Sequence, residues 1–420
     1  MVYDMQLYKY LPPASDRMGA LWALSSIREA AVLEYGPAGT THYAIEGFMQ
    51  LNAEMQARLF TTHMDETDIV MGDSTRLEDT IKEVDTVYAP SVLFLVASSI
   101  SSIIGTDLDT ICSALQPQTQ AKLIPITGGG WRGDYTLGIR EVLTALADKI
   151  VEERTEELPQ ACNIIGVNID CYNFQSDLRE LRYLLKEALG LTVHTVFTAD
   201  TSVSEIKQAA NAKFNLVLRG EGLECAELLH KRHGQPYVYG APYGYKGTLA
   251  WLTQVSELVG KEIDANFAKN LRGQATKHSG SVRRALFHYK KLPSLLAGSL
   301  MQVQGMNSFL SGELGLDIKH IIVNHNRPTR LPEMDSTLAE KLNFNPSEDE
   351  KLALLATVRP SVVWGDGVLL DMAKDAPVKI QVANPNLSST LIYDGTPFMG
   401  LNGATYMVER LMSGLRLSGL

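Results

Sequence analysis

The strongest constraint on the fold is a regular alternation of short apolar runs with longer amphipathic segments along most of the 420 residues. Strand-like runs that alternate with helical periodicity favour parallel strands, because a parallel crossover needs about a dozen residues or more, usually a helix. We therefore predict an α/β protein with doubly wound parallel sheets. The alternation passes through three cycles, and a chain this long exceeds one typical core. Three Rossmann-like domains are predicted, at residues 1–155, 156–290 and 291–420.

The individual elements follow from the same periodicity. Strands are predicted at residues 31–35, 68–71, 92–97, 121–126, 162–167, 191–197, 214–218, 237–239, 293–299, 318–324, 362–364 and 378–382. Helices are predicted at residues 43–59, 76–84, 107–115, 135–153, 177–189, 202–212, 221–233, 248–259, 263–290 and 404–415. The polar residues 152–160 are typical of a linker. Because open α/β sheets bind ligands at the carboxyl ends of strands, the cleft between the domains is the expected site.

The composition is that of a globular protein, with 45% hydrophobic and 20% charged residues. The net charge of −10, without a basic run, argues against a nucleic-acid partner. No apolar run approaches the roughly 20 residues of a membrane span, and no signal-peptide layout opens the chain. The four cysteines form no C-x-x-C pair, which is typical of a reduced, cytoplasmic protein. Core packing is expected for Cys112, Cys162 and Cys171.

A tight turn at residues 34–43 separates the first predicted strand from the helix that follows. Gly36 and Gly39 tolerate positive φ and Pro37 fixes φ, so the chain reverses sharply. Backbone amides at a helix N-terminus bind anions or cofactors, which makes this turn a candidate binding site. A strand–turn–helix connection without a ligand explains the same spacing equally well.

Residues 128–133, Gly-Gly-Gly-Trp-Arg-Gly, match the dinucleotide-binding pattern G-x-G-x-x-G between a predicted strand and a predicted helix. The acidic residue expected about 20 positions later should end a second strand. Glu152 and Glu153 have that spacing but lie in a helical pattern. Nicotinamide binding therefore rests on the glycines alone.

Several polar residues near predicted helix ends have two interpretations. Arg219 ends a predicted strand, where it suits an anionic substrate group, but a surface arginine near a turn fits the same place. Lys246 is either a cation of the cleft or an ordinary first-turn helix residue. His230 and His233 have a chelating spacing of three residues, yet cations at a helix end complement the helix dipole, which favours a structural role.

Several stretches resemble, in chain order, blocks of the nitrogenase component 1 superfamily. Gly36-Pro37-Ala38-Gly39 resembles its Gly-Pro-x-Gly motif, and the wider segment from residue 5 to residue 40 is most similar to the B-type subunit of dark-operative protochlorophyllide reductase. Further similar blocks are residues 67–73 with 77–78, 99–107, 128–133, 243–248, and 396–404 with 409–410. The chain is identified as a member of that superfamily, resembling a beta- or B-type subunit.

The chain departs from the family pattern where the family carries cluster-ligating cysteines. It has Thr40 and Ser99 at two of these positions and no cysteine near residues 13–14. Iron–sulfur clusters are held by thiolates, and a neutral hydroxyl does not ionise near pH 7. We therefore expect no cofactor bound by this chain alone, with an iron–sulfur cluster supplied by a partner subunit. His42 and His63 fall in the same region, although both are also explained as ordinary polar residues.

The resemblance implies two functions. In the first, the chain is a subunit of a nitrogenase-like oxidoreductase that pairs with a homologous cysteine-bearing subunit and reduces a small molecule or cofactor in the cleft. An ATP-dependent iron–sulfur reductase would supply the electrons, since this chain has no P-loop. In the second, the fold is a non-redox ligand-binding or cofactor-assembly scaffold. The candidate binding residues are Gly36, Pro37, Gly39, Thr40, His42, Ser99, Gly105, Arg219 and Lys246; no catalytic residue or metal ligand is assigned.

An oligomer is predicted from the position of two turns. Residues 36–40 and 99–105 both follow strands of the first predicted domain, so they should meet at one end of the sheet. In the resembled family that end faces the partner subunit. We therefore predict a homodimer, a heterodimer or a higher oligomer with the N-terminal domain in the interface.

Overall fold

The computed structural model of the chain describes residues 9–10, 13–49, 51, 55–287, 292–329, 334–386, 388 and 395–419. Its strands are β1 Ile27–Arg28, β2 Ala30–Tyr35, β3 Arg58–Thr61, β4 Val92–Ala97, β5 Lys122–Ile126, β6 Leu158–Val167, β7 Thr192–Thr198, β8 Thr201–Ser202, β9 Ala212–Val217, β10 Tyr237–Tyr239, β11 Pro293–Gly298, β12 Asp317–Val323, β13 Leu342–Phe344, β14 Val362–Gly365 and β15 Val378–Gln381. Its α-helices are α1 Asp16–Ser25, α2 Ala38–Met49, α3 Glu66–Met71, α4 Thr75–Tyr88, α5 Ser99–Ile103, α6 Leu108–Leu115, α7 Tyr135–Lys149, α8 Phe174–Leu189, α9 Val203–Lys207, α10 Leu223–His233, α11 Gly244–Val259, α12 Ala265–Phe287, α13 Leu300–Asn307, α14 Ser336–Ala339, α15 Glu348–Val358, α16 Gly367–Met372 and α17 Gly400–Ser418.

Three parallel sheets organise the described residues. The first sheet has the strand order β3-β2-β4-β5, the second β10-β9-β6-β7 and the third β13-β12-β11-β14-β15. Their strand pairs are all parallel, as where Ala31 of β2 lies beside Leu93 of β4. The short strands β1 and β8 form a separate parallel pair. The predicted α/β class with parallel sheets is confirmed.

The chain divides into two compact units. The N-terminal unit comprises Ala14–Asp170 and Thr192–Tyr239 and holds the first and second sheets. The C-terminal unit comprises Met1–Pro13, Cys171–Leu191 and Gly240–Leu420 and holds the third sheet. Helix α8 therefore belongs to the C-terminal unit, where it packs on α17, although it connects two strands of the second sheet. Each sheet falls within one predicted domain, and the domain boundaries themselves stay a prediction.

Aliphatic side chains of the strands form the cores. In the first sheet, Leu33 and Leu95 pack with Ile81 of α4 and Leu108 of α6 in one buried cluster. Fully burying one such side chain contributes about 1.5–3 kcal/mol, so these clusters supply much of the folding free energy. A matching cluster covers the third sheet, with Val363 of β14 among its members. Among the helices of the described residues, none has the length and apolar composition needed to cross a bilayer.

Helix α1 is missing from the prediction because it is buried along its whole length. All 10 of its residues are buried, so it shows no amphipathic periodicity. It packs against α7, and the backbones of the two helices approach closely. A Cβ on Gly19 would lie 1.9 Å from the carbonyl oxygen of Tyr135, and a Cβ on Gly138 would lie 1.8 Å from that of Asp16. Two glycines therefore set the distance between the helices.

The strand predicted at residues 68–71 is wrong, because these residues belong to α3. The Asp65 carboxylate accepts hydrogen bonds from the backbone N–H groups of Thr67 and Asp68, and the Asp68 carboxylate accepts one from Asp65 N–H. This capping box satisfies donors that a helix start leaves unpaired. The acidic pair at positions 65 and 68 was the sequence signal for a helix rather than a strand.

Further boundaries differ from the prediction. The helix predicted at residues 43–59 is α2, which begins at Ala38 and ends at Met49. Residues 58–61 instead form the edge strand β3, where Leu59 pairs with Val32. The predicted linker at residues 152–160 ends in β6, which starts at Leu158.

Two buried carboxylates of α8 hold the N-terminus of α17. Asp177 Oδ1 accepts hydrogen bonds from the backbone N–H groups of Phe398 at 2.7 Å and Met399 at 3.0 Å. Glu180 accepts from the backbone and side-chain amides of Asn402. A helix N-terminus carries unpaired donors and a partial positive charge, so α8 supplies the cap that α17 lacks. Burial nevertheless raises the pKa of Asp177 to about 7, and it also raises the pKa of Glu180.

We expect Asp177→Asn to change how stability depends on pH. The pKa of Asp177 is about 7 in the folded chain and 3.8 ordinarily, so folding favours the protonated form. Its contribution to stability is full at low pH and is lost as pH rises toward 7. Asparagine does not titrate. In urea unfolding, the free energy of the variant minus that of the wild type should rise by about 1 kcal/mol between about pH 5.5 and about pH 6.5.

Asp335→Asn is the control for this measurement. Asp335 lies in the same unit, and hydrogen bonds from Thr337 lower its pKa, so it is ionised throughout this pH range in both states. Its variant should show a difference from the wild type that does not change with pH. A pH-independent difference for Asp177→Asn as well would contradict the assignment.

Candidate functional site

Three connections meet at one end of the first sheet, which we call the carboxyl edge. They are residues 36–37 after β2, Ser98 after β4 and residues 127–134 after β5. A Cβ on Gly36 would lie 2.4 Å from Cβ of Ser98, and a Cβ on Gly129 would lie 2.2 Å from Cβ of Ser102. Because glycine has no side chain, the connections can touch at Gly36 and Gly129. The structure thus brings together the turns predicted to meet.

The turn after β2 is built differently from the prediction. Neither Gly36 nor Gly39 has positive φ. Gly36 is buried and serves the close approach to Ser98, whereas Gly39 is exposed and has open space around it. Pro37 O accepts hydrogen bonds from the backbone N–H of Thr40 at 3.2 Å and from its hydroxyl at 2.8 Å. The Thr40 hydroxyl therefore closes the first turn of α2.

A buried ion pair that the sequence analysis missed fixes this turn. Arg17 of α1 donates from Nε to Glu34 Oε1 at 2.8 Å, and both side chains are almost fully buried. Arg17 Nη2 also donates to the carbonyl oxygen of Thr40 at 2.8 Å. Thr41 donates its hydroxyl to Glu34 Oε2 at 2.7 Å. The pair holds α1, β2 and α2 together. Glu34, a charged residue inside the apolar strand 30–35, was the sequence feature that indicated a buried partner.

The turn after β4 is organised by serine hydroxyls. Ser98 and Ser101 form a capping box at the start of α5. Ser99 is partly exposed, and its carbonyl oxygen accepts a hydrogen bond from the indole N–H of Trp131 at 3.2 Å. Gly105 is exposed at φ 76°, so a glycine is required there by the left-handed backbone. This turn joins the first and third connections of the carboxyl edge.

The glycine-rich connection after β5 packs on its own chain. A Cβ on Gly128 would lie 2.9 Å from the Asp16 carboxylate and 3.0 Å from that of Glu141. Burial raises the pKa of Asp16, and the backbone N–H groups of Gly130 and Arg132 oppose the rise. The acidic residues at positions 152–153 lie in the segment between α7 and β6 rather than at the end of a strand. Glu152 and Glu153 are therefore not placed as the ribose-binding acid that a dinucleotide site requires.

Exposed apolar side chains accompany the carboxyl edge. They lie on α2, on α3, at the end of α5 and in the glycine-rich connection, all of which follow carboxyl ends of strands in the first sheet. These side chains are Tyr43, Ile45, Val70, Met71, Ile103, Ile104 and Trp131. Val70 is 81% exposed. Large apolar groups held in water at one edge are typical of a protein–protein interface.

The donor atoms at this edge do not fit an iron–sulfur cluster. Thr40 and Ser99 present hydroxyl and carbonyl oxygens, whereas the cluster needs thiolates. Burial raises the pKa of the Cys112 and Cys162 thiols to about 12 and raises that of Cys225 further, so these groups stay protonated. Within the described residues, no group of three or more histidine, cysteine or acidic side chains is placed to hold a metal ion.

Arg219 does not present its side chain to solvent. Its guanidinium donates from Nη1 to both oxygens of Asp170, at 3.0 and 2.8 Å, and from Nη2 to Glu221 at 2.8 Å. The Arg219 side chain is 6% exposed and that of Asp170 is 1% exposed. The guanidinium is therefore paired with two acidic side chains of its own chain. The interpretation as a surface arginine is therefore wrong, and a role of Arg219 toward an anionic ligand stays a prediction.

The other predicted polar residues belong to elements outside the three connections. Lys246 is an exposed residue in the first turn of α11 in the C-terminal unit, and its backbone N–H donates to Glu313. His42 is exposed and pairs with Glu46 at 3.2 Å, one helical turn away. His63 is exposed at φ 52° just after β3. His230 Nδ1 donates a hydrogen bond to the carbonyl oxygen of Gln235, two residues after the end of its own helix.

Comparison with known proteins gives the class of the chain. The family model described as nitrogenase component 1 type oxidoreductase matches residues 15–416. The chain belongs to this family. A solved structure titled "Nitrogenase Cp1 at pH 6.5" superposes with a TM-score of 0.81 over 99% of this chain and 95% of that one, at 18% identity. The likeness confirms the Rossmann-like α/β architecture.

Curated relatives extend the comparison. The chain is 28% identical over 349 residues to the nitrogenase iron-molybdenum cofactor biosynthesis protein NifE of Clostridium pasteurianum, covering 80% of this chain and 74% of that protein. It is 29% identical to the NifE protein of Methanococcus maripaludis strain S2, and 30% identical to that of Nostoc sp. strain PCC 7120. These matches cover 62% and 54% of this chain and 56% and 47% of the relatives. The chain thus spans about half the length of two of these relatives.

Proposed function

We propose that this chain is the non-ligating subunit of a nitrogenase component 1-like assembly scaffold. It pairs through the carboxyl edge with a homologous chain that carries the cysteines. One observation carries the proposal: the edge has closely packed turns but not the cysteines that would bind a cluster. The three connections are closely fitted through Gly36 and Gly129, and Thr40 and Ser99 occupy the positions at which the resembled family has thiolates. Thiolates for a cluster at this edge must come from another chain.

The exposed apolar groups support the same edge as the pairing surface. Ile103 and Trp131 are 67% and 62% exposed. Burying such groups against a partner recovers about 25 cal/mol for each Å² removed from water. Beneath them, the buried Arg17–Glu34 pair holds α1, β2 and α2 in one arrangement. A surface fixed in advance loses little entropy on binding.

A scaffold role is preferred because the named relatives are cofactor biosynthesis proteins. The second candidate is a subunit of a reductase complex that receives electrons from an ATP-dependent iron–sulfur reductase, which the oxidoreductase description of the family favours. The two candidate functions differ in whether the complex converts a substrate to product. A pair that carries a bound cofactor and gives no ATP-dependent product supports the scaffold, and reduction of an added substrate supports the reductase.

The pairing is tested by changing one exposed residue of the carboxyl edge. We expect Ile103→Asp to weaken the complex with a co-expressed cysteine-bearing homologue by about tenfold or more, because it buries a charge in an apolar interface. Light scattering and sedimentation on anaerobic preparations give the dissociation constant. Iron analysis of the same preparations should find iron–sulfur absorbance in the pair and none in the chain alone.

Val87→Asp is the matched control. Val87 is 64% exposed in the same unit, but it lies at the end of α4, before the amino end of β4. This variant should leave the complex intact. Pairing through the carboxyl edge would be contradicted if the wild-type chain were monomeric both alone and when co-expressed with the homologue. It would also be contradicted if Ile103→Asp and Val87→Asp weakened the complex equally. About four irons bound to the isolated chain would contradict a non-ligating subunit.

A further inference from the structure

Helix α12 in the C-terminal unit carries one sign of charge. Between Ala265 and Phe287 there is no aspartate or glutamate, in a chain whose net charge is −10. The exposed basic residues of the helix are Lys269, Arg272, Lys277, Arg283 and Arg284. At about 100° per residue they fall within an arc of about 140°. The buried residues Ala268, Leu271 and Val282 lie on the opposite side. We call the five cations the basic stripe.

The hydrogen bonds and ion pairs of the described residues show what surrounds the basic stripe. In the part of the chain that the structure describes, no ion pair includes a residue of α12. Arg283 donates to the neutral carbonyl oxygens of Gly312 and Glu313, and Arg284 donates to a serine hydroxyl. Uncompensated cations in a row repel one another and attract an acidic surface.

We propose that the basic stripe docks an acidic helix of a partner protein. Two glycines, Gly273 and Gly280, lie in the middle of the stripe, and a Cβ on either would meet nothing closer than 4.0 Å. The absent side chains let the backbone of a partner helix approach. The stripe extends about 22 Å from Lys269 to Arg284, which matches glutamates repeated over four turns of a helix. These carboxylates would lie beside the cations as they do in one-turn pairs within a helix.

A protein fits better than a nucleic acid or an anionic membrane. The negative charge of a nucleic acid or a membrane extends far past the length of the stripe, and the chain, with its net charge of −10, would repel it there. An acidic protein surface can be as short as the stripe itself. The basic stripe lies in the C-terminal unit and the carboxyl edge in the N-terminal unit, so either proposal can fail without the other.

The test uses the purified full chain and a fluorescein-labelled helical peptide with glutamate at every third or fourth position. In fluorescence anisotropy at low ionic strength, the triple variant Lys269→Glu, Arg272→Glu, Lys277→Glu should bind at least about tenfold more weakly than the wild type, which is about 1.4 kcal/mol. Wild-type binding should weaken with added salt. A glutamine version of the peptide should not bind. A second triple variant with glutamine in place of glutamate should give an intermediate loss.

The matched control is Lys374→Glu, Lys379→Glu, Arg416→Glu, which makes the same change of charge at exposed residues of the same unit. It should bind the peptide within about twofold of the wild type. Equal losses in both triple variants would overturn the proposal, because net charge alone would then explain binding. Tighter binding of duplex DNA than of the peptide, or self-association abolished by the α12 variant, would also overturn it. Circular dichroism checks that each variant is folded.

Discussion

Gly138→Ala is expected to destabilise the N-terminal unit by about 3 kcal/mol or more. The added methyl group would lie 1.8 Å from the carbonyl oxygen of Asp16 and 2.5 Å from the backbone nitrogen of Ala20. Neither atom belongs to a flexible side chain, so α1 and α7 must separate. Alanine gains about 1 kcal/mol in helix propensity over glycine, which is less than the cost of separating two packed helices. Urea unfolding of the purified variant gives the change directly.

Gly39→Ala is the control for this variant. Gly39 also lies in a helix of the N-terminal unit, but a Cβ there would meet nothing within 4 Å. We expect its stability to stay the same or to rise by less than about 1 kcal/mol. Gly19→Ala should behave like Gly138→Ala, because its methyl group would lie 1.9 Å from the carbonyl oxygen of Tyr135. A tolerated Gly138→Ala, with a loss below about 1 kcal/mol, would show that the helices can separate easily.

Arg219→Ala is expected to cost about 3–5 kcal/mol, because it removes the cation that compensates the buried charge of Asp170. The Asp170 side chain is 1% exposed, and burial already raises its pKa although Arg219 opposes the rise. Removing the guanidinium removes that opposing effect. The variant should therefore unfold at lower urea concentration and more readily at high pH, where Asp170 must ionise.

Arg28→Ala is the comparison, since Arg28 is 42% exposed and pairs with Asp200 and Glu205 at the surface. Its loss should cost less than about 1 kcal/mol. The double variant Arg219→Met, Asp170→Asn should recover part of the stability that Arg219→Ala loses, because it removes the buried charge together with its partner. Equal effects of Arg219→Ala and Arg28→Ala would place Arg219 on the surface.

Local patterns in the sequence determined the fold class and the place of the candidate site. The alternation of apolar runs and helical periodicity predicts parallel α/β sheets, and the structure has them. The turns at residues 36–40 and 99–105 follow strands of one sheet, which predicts that they meet, and Gly36 lies against Ser98, the residue just before the second turn. The missing thiols at Thr40 and Ser99 can be seen in the sequence alone. Each of these depends on residues close together in the chain.

The tertiary structure decided what depends on residues far apart in the chain. Helix α1 was not predicted, because burial on all sides removes the periodicity that marks a helix. Arg219 was assigned to a ligand or to the surface, and its partner Asp170 lies 49 residues away. Asp177 caps α17 from 222 positions earlier. Periodicity reports which face of an element is apolar, but it does not report which other element covers that face. Packing alone therefore determines whether a charged side chain meets solvent, a ligand or a buried partner.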